Sequence, residues 1–410
     1  MKNWAGNVTY SAAEIVRPRS VEEAQELIAG AAAIRPLGTR HSFSLVGDSA
    51  AGGALLSTEH LDRIVAIGET TVTVEAGIRY GELSSALHDY GLAVANLASL
   101  PHISVGGAIA TGTHGSGVRN QSLAAAVSAL DLACADGSIR SLRRGDADFD
   151  GAVVSLGALG LVARVTLDVV PAFDLLQYVF EDLPWSEVDA NLDAILAGGY
   201  SVSLFTMWTE FGVDQIWVKT GDELDAESSY FGAAPALRPR NPVPGAPWEN
   251  ATEQLGAPGP SGERLPHFRL GFAPSSGDEL QSEYVVAREH GGDAVRALRR
   301  LGPLVTPLLL ISEIRAIAAD TLWLSPSYEQ DSVAFHFTWK PLTADVLAVL
   351  PRIEAALAPF GPRPHWGKVF LASPNDVEAV YPKLPAFRQL RERLDRDGTF
   401  RNDFVARYGM

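Results

Sequence analysis

The first third of the chain alternates between helical and strand patterns. Residues 20–33, SVEEAQELIAGAAA, predict a helix that opens with a capping box of Ser20 and Glu23. Residues 70–77 alternate between polar and apolar side chains with period two, which predicts a strand. Residues 79–94 then predict an amphipathic helix closed by a glycine.

A hairpin and a long strand close this first region. Residues 124–142 predict two strands around an Asp136-Gly137 turn, which is the strongest short-range hairpin signal. Residues 153–173 run through a glycine-broken segment into a long strand. We therefore expect the first domain to end near Phe173.

The rest of the chain combines aromatic-rich strands, a stretch of helix breakers and further helices. Strands are predicted at 201–211, 214–221, 308–317 and 332–340, and helices at 293–301, 344–358 and 375–394. Between residues 225 and 262, proline, glycine and alanine are too frequent for a regular element. We expect an ordered excursion over the surface there, with a lid over a site as the alternative.

Composition and charge exclude several classes of partner. The 410 residues carry 49 acidic and 33 basic side chains, a net charge of −16, and no Lys/Arg-rich run offsets this charge. Such a surface repels polyanions, so neither nucleic acid nor an anionic membrane is an expected partner. With 47% hydrophobic and 20% charged residues, the chain can bury a sizeable core.

The sequence favours a reducing, cytoplasmic setting. Cys134 is the only cysteine, which excludes an intramolecular disulfide and predicts a small core residue. The first residues lack the apolar region of a secretory signal, and the longest apolar stretch, 301–314, is short and contains two prolines. We therefore expect a cytoplasmic protein.

Several common site motifs are absent from the sequence. It contains no GxxxxGK[ST], CxxC, HExxH or GxSxG pattern, and no GxGxxG between a strand and a helix. ATP chemistry, a Rossmann dinucleotide site and a zinc site thereby lose their main support, and we expect no metal.

Two glycine-rich segments of the first region carry the candidate cofactor chemistry. PLGTRHSF, residues 36–43, follows a strand predicted over 34–38, and its turn forms a concavity of amides suited to a diphosphate, with His41 at the turn. On this segment alone, an ordinary loop with a solvent-facing histidine is the better interpretation. Residues 96–117 add five glycines, several hydroxyl side chains and His114, more than a plain loop needs. Two such loops predict a large cofactor that contains phosphate.

Alternation along two later strands places polar side chains on one face. Glu313 and Arg315 are two residues apart and share a face of their strand. In the next strand four large apolar residues share one face, and His336 and Thr338 lie on the other. These polar side chains face either solvent, as in a one-sided antiparallel sheet, or a polar cavity. Lys368 in RPHWGKVF is a further candidate because lysine is scarce in this chain.

Three of these motifs together resemble a known family. PLGTRHSF, SLPHISVGGAIATGTHGSG and PHWGK are similar, in the same order, to the aldonolactone and alditol oxidase branch of the vanillyl-alcohol oxidase flavoproteins. The similarity to alditol (xylitol) oxidases extends from NWAGN at Asn3 to the GTFRNDF tail. It implies an α+β fold of two domains. An FAD-binding domain of two α+β subdomains (1–175) is rejoined by a C-terminal segment (366–410), and a substrate domain (176–365) covers the flavin with an antiparallel sheet.

The resemblance also implies roles for individual residues. FAD would be attached covalently through His41. Further cofactor contacts are implied for Leu37, Gly38, Thr39, Arg40, Ser42, Phe43, Ser99, Ser104, Gly107, Thr111, Gly112, Thr113, His114, Val162 and His365. A polyol pocket is implied for Ser99, Glu313, Arg315, Thr338 and Lys368, with His336 beside them. Four of these residues, Glu313, Arg315, His336 and Thr338, are the ones for which strand alternation allowed either a solvent-facing position or a polar cavity.

The implied reaction oxidises the terminal C1 hydroxyl of a polyol such as xylitol or sorbitol. Hydride passes to FAD, the product is an aldose, and O2 is reduced to hydrogen peroxide. Arg315 and Lys368 would stabilise alkoxide character, and Glu313 and Ser99 would bind the next hydroxyls. The proton acceptor is left open between His336, Lys368 and a water.

Two other functions stay open at this point. An aldono-1,4-lactone oxidase or dehydrogenase of the same superfamily is one, because the Thr39-Arg40 pair before His41 is closer to lactone-oxidising relatives. A non-catalytic sugar-binding module is the other, and it predicts a colourless protein. For the enzyme, the expected partners are a small-molecule substrate and O2, and the expected state is a monomer.

Overall fold

The computed structural model describes residues 1–225, 228–272 and 279–410. Its first region consists of small sheets and short helices. The strands are β1 (Glu14–Val16), β2 (Ile34–Leu37), β3 (Ala54–Ser57), β4 (Ile64–Ile67), β5 (Thr71–Glu75), β6 (Leu92–Ala93), β7 (Val127–Ala133), β8 (Ile139–Arg143), β9 (Leu161–Asp168) and β10 (Val170–Pro171). The helices are α1 (Val21–Ala29), α2 (Tyr80–His88), α3 (Val105–Ala110) and α4 (Phe149–Val153).

The main sheets of this region are a parallel one of three strands and an antiparallel one of five strands. Strands β1, β3 and β2 form a parallel sheet in that order, and β4, β5, β9, β7 and β8 form an antiparallel one. The predicted hairpin and long strand are confirmed as β7, β8 and β9, and Cys134 is buried as expected. The first helix is shorter than predicted and ends at Ala29, because Gly30 follows. Ser20 caps it, but the Glu23 carboxylate accepts from the amide of Arg19, so the predicted capping box is wrong.

The second region is built on one large antiparallel sheet. Its strands are β11 (Asp174–Leu183), β12 (Ser201–Thr206), β13 (Val213–Thr220), β14 (Ala234–Pro235), β15 (Gly259–Pro260), β16 (Leu280–Ala287), β17 (Leu309–Ile317), β18 (Ser332–Trp339) and β19 (Arg363–Pro364). The order is β14-β11-β13-β12-β17-β18-β16-β19, with β15 beside β11. The helices are α5 (Trp185–Ala197), α6 (Ser261–Arg264), α7 (Gly291–Arg299), α8 (Gly302–Val305) and α9 (Thr343–Leu357).

The two faces of this sheet have different chemistry. Val333, Phe335, Phe337 and Trp339 of β18 are fully buried in the main core. Helices α5, α7 and α9 pack there against the sheet or against one another. The opposite face of β18 carries His336 and Thr338, and it faces the glycine-rich loops of the first region. The alternation in sequence therefore predicted the two faces of this strand correctly.

The C-terminal tail returns to the first region. Its helices are α10 (Pro374–Val380), α11 (Leu384–Leu394) and α12 (Asp403–Arg407), so the single helix predicted for 375–394 is two helices. The Asn402 amide donates to the carbonyls of residues 45, 46 and 48. Arg35 is buried and donates to the carbonyls of Val46, Leu156, Gly157 and Phe400. The division at residues 175 and 365 stays a prediction, which these contacts support.

Replacing Arg35 with methionine is expected to lower the free energy of unfolding by about 3 kcal/mol, because four buried carbonyls lose their donor. Urea unfolding of the purified protein measures this loss. Exposed Arg17, which pairs with Glu59, supplies the matched control, and Arg17→Met is expected to change stability by less than about 0.5 kcal/mol. Equal stability of the two variants would contradict the anchoring role of Arg35.

The stretch of helix breakers, residues 225–262, is mainly irregular, as predicted, and part of it lines a cavity. Residues 226 and 227 of it lie outside the described residues. Six residues between 241 and 250 line a cavity over the sheet, as the lid alternative required. A purely superficial course is therefore wrong. Within the described ranges, no helix is both long and apolar enough to cross a membrane.

Candidate active site

A cavity of about 460 Å³ lies between the glycine-rich loops and the polar face of the large sheet, a size typical of small-molecule sites. Most residues assigned from the resemblance line it: Leu37, Gly38, Thr39, Arg40, His41, Ser42, Phe43, Ser99, Gly107, Thr111, Thr113, His114, Val162, Glu313, Arg315, His336, Thr338, His365 and Lys368. The other two assigned residues, Ser104 and Gly112, are not part of the lining. Gly112 packs against Pro326 with a φ of +67°.

The two glycine loops form one cradle of backbone amides. A Cβ on Gly38 would lie 2.5 Å from Ser104 Oγ, so a larger residue at this position would displace that hydroxyl from between the loops. Arg40 has a φ of 65°, in the left-handed region, which turns the chain sharply before His41. In the part of the chain that the structure describes, the amides of residues 39–42 and of Gly107 donate to no protein acceptor. Such a row of free amides suits a diphosphate.

The hydroxyl of Ser104 also has hydrogen-bonding capacity that no described residue uses. Its Oγ is buried beneath the loops without a hydrogen bond to any described residue. Its amide is held by Thr39 Oγ1 at 3.3 Å, so the two loops are joined at this point. An unpartnered hydroxyl next to free amides is what a phosphate-containing group would satisfy. The residues present therefore fit the diphosphate part of FAD.

His41 lies at the mouth of this cradle. Its ring stacks on Trp4 with 5.0 Å between centroids, and Nδ1 lies 3.0 Å from Thr39 Oγ1. Burial, with smaller contributions from nearby cations such as Lys368, lowers the pKa of His41 to about 3. The ring is therefore neutral at physiological pH, and a neutral imidazole has a lone pair available for bonding.

Two carboxylates and one guanidinium form the buried wall opposite the loops. Arg315 Nη2 lies 2.8 Å from Glu283 Oε1, and Arg315 Nε lies 3.6 Å from Glu313 Oε1. Arg315 Nη1 also donates to Ser99 Oγ at 3.2 Å, which ties a glycine-loop residue to the sheet. Glu283 Oε1 is 3.2 Å from His114 Nε2, so this wall also reaches the second loop.

The pKa values of both carboxylates reflect this pairing. Burial alone raises the pKa of Glu283, but His114 and Arg315 outweigh burial and hold it well below the usual range. Burial likewise raises the pKa of Glu313, and Arg315 and His267 reverse that effect. Both side chains are therefore ionised acceptors at neutral pH.

Gln281 connects His336 to Lys368. The Gln281 amide donates to Glu279, which leaves its Oε1 to accept from His336 Nε2 at 3.2 Å and from Lys368 Nζ. Burial lowers the pKa of His336 to about 3, so the ring is neutral and its Nδ1 carries no proton. Burial also lowers the pKa of Lys368 to about 8, and its ammonium lies 5.0 Å from the centre of the Phe43 ring.

His365 lies close to the same group. Its ring centre is 6.0 Å from that of His114, and its Nδ1 accepts from the Gly367 amide at 3.1 Å. Burial lowers its pKa to about 3, which keeps the ring neutral. The predicted position of His365 beside the cofactor cradle agrees with this placement.

Sequence reasoning did not identify Gln281, Glu283 or His267. Gln281 and Glu283 lie on β16, where period-two alternation could have found them, because Leu280, Ser282 and Tyr284 face the other way. His267 comes from irregular chain after the helix breakers, and no periodic signal marks it. It lies 2.8 Å from Glu313 Oε1.

Two family models match the chain. The "FAD binding domain" model covers residues 12–143, and the "D-arabinono-1,4-lactone oxidase" model covers residues 278–408. The first match contains both glycine loops, and the second contains β16, β17, β18 and Lys368. Each match therefore covers one side of the cavity.

Several curated proteins are similar over nearly the whole length. An alditol oxidase of Streptomyces sp. is 48% identical over 98% of this chain and 97% of its own. L-gulonolactone oxidase of Mus musculus is 29% identical, covering 98% of this chain and 97% of its own. L-gulono-1,4-lactone dehydrogenase of Mycobacterium tuberculosis is 28% identical, covering 99% and 98%. The lactone-oxidising relatives are thus much more distant than the alditol oxidase.

Solved structures show the same fold. Cholesterol oxidase from B. sterolicum superimposes with a TM-score of 0.79 at 16% identity, covering 100% of this chain and 96% of that one. Fold, cradle and matches together define an FAD-dependent oxidoreductase of the vanillyl-alcohol oxidase superfamily, with the two-domain α+β fold that the sequence predicted. Within it, the chain belongs to the alditol oxidase family.

Proposed function

We propose that the protein oxidises the terminal C1 hydroxyl of a polyol, such as xylitol or sorbitol, to the aldose. The observation that carries this proposal is a set of polar side chains, Glu313, Arg315, Thr338 and Lys368, which we call the substrate wall and which faces the FAD cradle across one cavity. When held in this cradle, FAD would supply the hydride acceptor, and O2 would take up the electrons as hydrogen peroxide. The 48% identity to an alditol oxidase supports the same substrate class.

The wall suits a flexible chain of hydroxyl groups. Glu313 offers an ionised acceptor, Arg315 and Lys368 offer cationic donors, and Ser99 and Thr338 offer hydroxyls that donate or accept. A polyol presents a donor and an acceptor on each carbon, so it can pair with all of them. We propose that Ser99 and Glu313 bind the hydroxyls next to C1 and so place C1 at the reactive position.

We propose that Lys368 and Arg315 stabilise the negative charge that develops on the C1 oxygen as its proton leaves. His336 is the proposed proton acceptor, because its ring is neutral and its Nδ1 has no protein partner among the described residues. Gln281 holds both the ring and Lys368, so the base and the cation are positioned by one amide. We propose that acceptor and cation act on the same hydroxyl, which their shared contact with Gln281 supports.

We propose that FAD is attached covalently through His41. The ring is neutral, stacked and placed at the cradle, so a ring nitrogen can bond to the flavin without first losing a proton to solvent. The other contacts proposed for the cofactor are the loop residues that line the cavity, with Ser104 beneath them. The enzyme is proposed to be a cytoplasmic monomer, on the basis of its single cysteine and strongly acidic composition.

Oxidation of an aldono-1,4-lactone is the second candidate. The match of residues 278–408 to a lactone oxidase model favours it, as does the Thr39-Arg40 pair before His41. The lactone shares the secondary hydroxyls of a sugar chain, but its C1 is the ring carbonyl and therefore carries no C1 hydroxyl to oxidise. The two candidate substrates would therefore be oxidised at different carbons.

Oxygen consumption with a matched panel decides between the two substrates. We expect kcat/KM for xylitol or sorbitol to exceed that for L-gulono-1,4-lactone by roughly 100-fold or more, because a buried polar wall discriminates strongly against a substrate that leaves it unpaired. Added catalase is the control, since it returns half of the consumed oxygen if peroxide is the product. A preference for the lactone would contradict the proposal.

A further inference from the structure

A buried histidine in the cavity lining and a buried lysine behind it extend the substrate wall. Lys219 of β13 is 1% exposed, and His267 is 4% exposed. Lys219 Nζ lies 3.1 Å from His267 Nδ1, and His267 Nε2 lies 2.8 Å from Glu313 Oε1. The His267 ring therefore links Lys219 to Glu313, the carboxylate proposed to bind substrate, through two consecutive hydrogen bonds.

Three acceptors surround the amino group of Lys219. They are the carbonyls of Leu265 and Pro266, at 2.5 and 3.2 Å, and His267 Nδ1. Burial lowers the pKa of Lys219 to about 7, and the protonated amine, with its three N–H donors, satisfies this set completely. The lysine is therefore built into the fold as a donor, and His267 Nδ1 receives one of its protons in a hydrogen bond.

The contact with Lys219 determines which nitrogen of His267 carries the proton. Burial and the nearby Lys219 lower the pKa of His267 to about 4, so the ring is neutral and has one N–H. Because Nδ1 accepts from Lys219, the proton lies on Nε2 and points at Glu313. Phe205 and Trp217 contact the ring edge-on, with centroids 5.3 and 5.4 Å away, which fixes its orientation.

Glu313 is consequently held by one oxygen. Its Oε1 accepts from His267 and faces Arg315 Nε, whereas Oε2 has no protein partner among the described residues. Glu313 lines the cavity, so the second oxygen is available to a ligand. With the other tautomer of His267, a lone pair would face the carboxylate, and the two groups would repel each other.

We propose that Lys219 and His267 are positioning residues for substrate binding: Lys219 selects the His267 tautomer that holds Glu313 in place for a substrate hydroxyl. This inference rests on the proposed function, in which Glu313 binds the polyol. It assigns no chemistry to either residue, because Lys219 lies outside the cavity lining and His267 acts through Glu313. Its signature is a change in KM that exceeds the change in kcat.

Steady-state kinetics of the holoenzyme with the preferred polyol tests the proposal. Lys219→Met is expected to raise KM roughly 10- to 100-fold while kcat changes less than about threefold, as for partners that orient a ligand-binding group. His267→Asn, which lacks a donor at the Nε2 position, is expected to do the same. His267→Gln keeps a donor there, and its KM is expected within about threefold of wild type.

The double variant separates positioning from structural support. Gln has no ring tautomers, so adding Lys219→Met to His267→Gln is expected to raise KM by less than about threefold further. An equal rise in both backgrounds would contradict the proposal, because loss of two carbonyl partners alone would explain it. If Lys219→Met does not accumulate, the comparison of His267→Asn with His267→Gln decides, and equal KM values for these two variants would contradict it.

Wild-type turnover is measured in the same experiment. Failure of the wild type to oxidise any polyol contradicts the proposed function. Wild-type polyol oxidation with an unchanged KM in Lys219→Met contradicts the positioning role alone.

Discussion

Replacing Lys368 with methionine is expected to lower kcat/KM for the polyol by about 10²- to 10³-fold, the size of effect seen when one preorganised donor to a developing charge is removed. Lys368 lines the cavity beside His336, and both side chains share the Gln281 oxygen. Methionine keeps most of the side-chain volume and loses the charge. The fall is therefore expected mainly in kcat, measured as oxygen consumption and as anaerobic bleaching of the flavin colour.

The pH profile distinguishes a cation from a base at this position. Burial lowers the pKa of Lys368 to about 8, so the side chain is charged below this pH and neutral above it. A stabilising cation predicts that wild-type activity falls as pH rises through about 8, and that Lys368→Met lacks this fall. Activity that instead rises through the same range would contradict the cation role and favour Lys368 as the proton acceptor.

Lys340 provides the matched control. It follows β18 and donates to the carbonyl of Pro307 at the exposed end of the strand, outside the cavity. Lys340→Met is expected to leave kcat/KM within about twofold of wild type, as is usual for surface positions. A similar loss in both variants would show that the effect is not specific to the site.

Replacing His41 with alanine is expected to abolish the proposed covalent attachment of the flavin. After acid denaturation, the yellow colour is expected to stay with the wild-type polypeptide and to be released into the supernatant from His41→Ala. The neutral ring and its place at the cradle give the reason. Peptide mapping by mass spectrometry is expected to place the added flavin mass on the wild-type peptide that contains His41.

The exposed residue His60, which lies near Glu59, is the control for this experiment. His60→Ala is expected to retain its flavin on the polypeptide. Colour released from the wild type would withdraw His41 as the linkage site but leave an FAD enzyme, whereas retained colour in His41→Ala would show that another residue forms the bond.

Local sequence patterns predicted a large part of this protein. The faces of β17 and β18 follow from period-two alternation, which needs no knowledge of the neighbouring strands, and they identified Glu313, Arg315, His336 and Thr338. The glycine loops were recognisable because backbone turns of this kind depend on nearby residues only. The end of the first region near Phe173 was expected from the same local signals, whereas the two-domain α+β fold was implied by the family resemblance.

Tertiary structure decided how these parts act together. Glu283 reaches Arg315 through the pairing of β16, β18 and β17, and the register of such pairs depends on packing across the whole sheet. The sequence predicted that the segment rich in helix breakers crosses the surface, yet six of its residues line the cavity.

The chain of Lys219, His267 and Glu313 was beyond any sequence pattern. Its members come from a strand, an irregular segment and a second strand, 46 or more residues apart. By itself, the sequence determined which residues could carry chemistry, because side-chain type and local alternation are written in adjacent positions. Only the folded structure decided which of them meet, because hydrogen bonds between distant segments depend on how the sheet and loops pack in space.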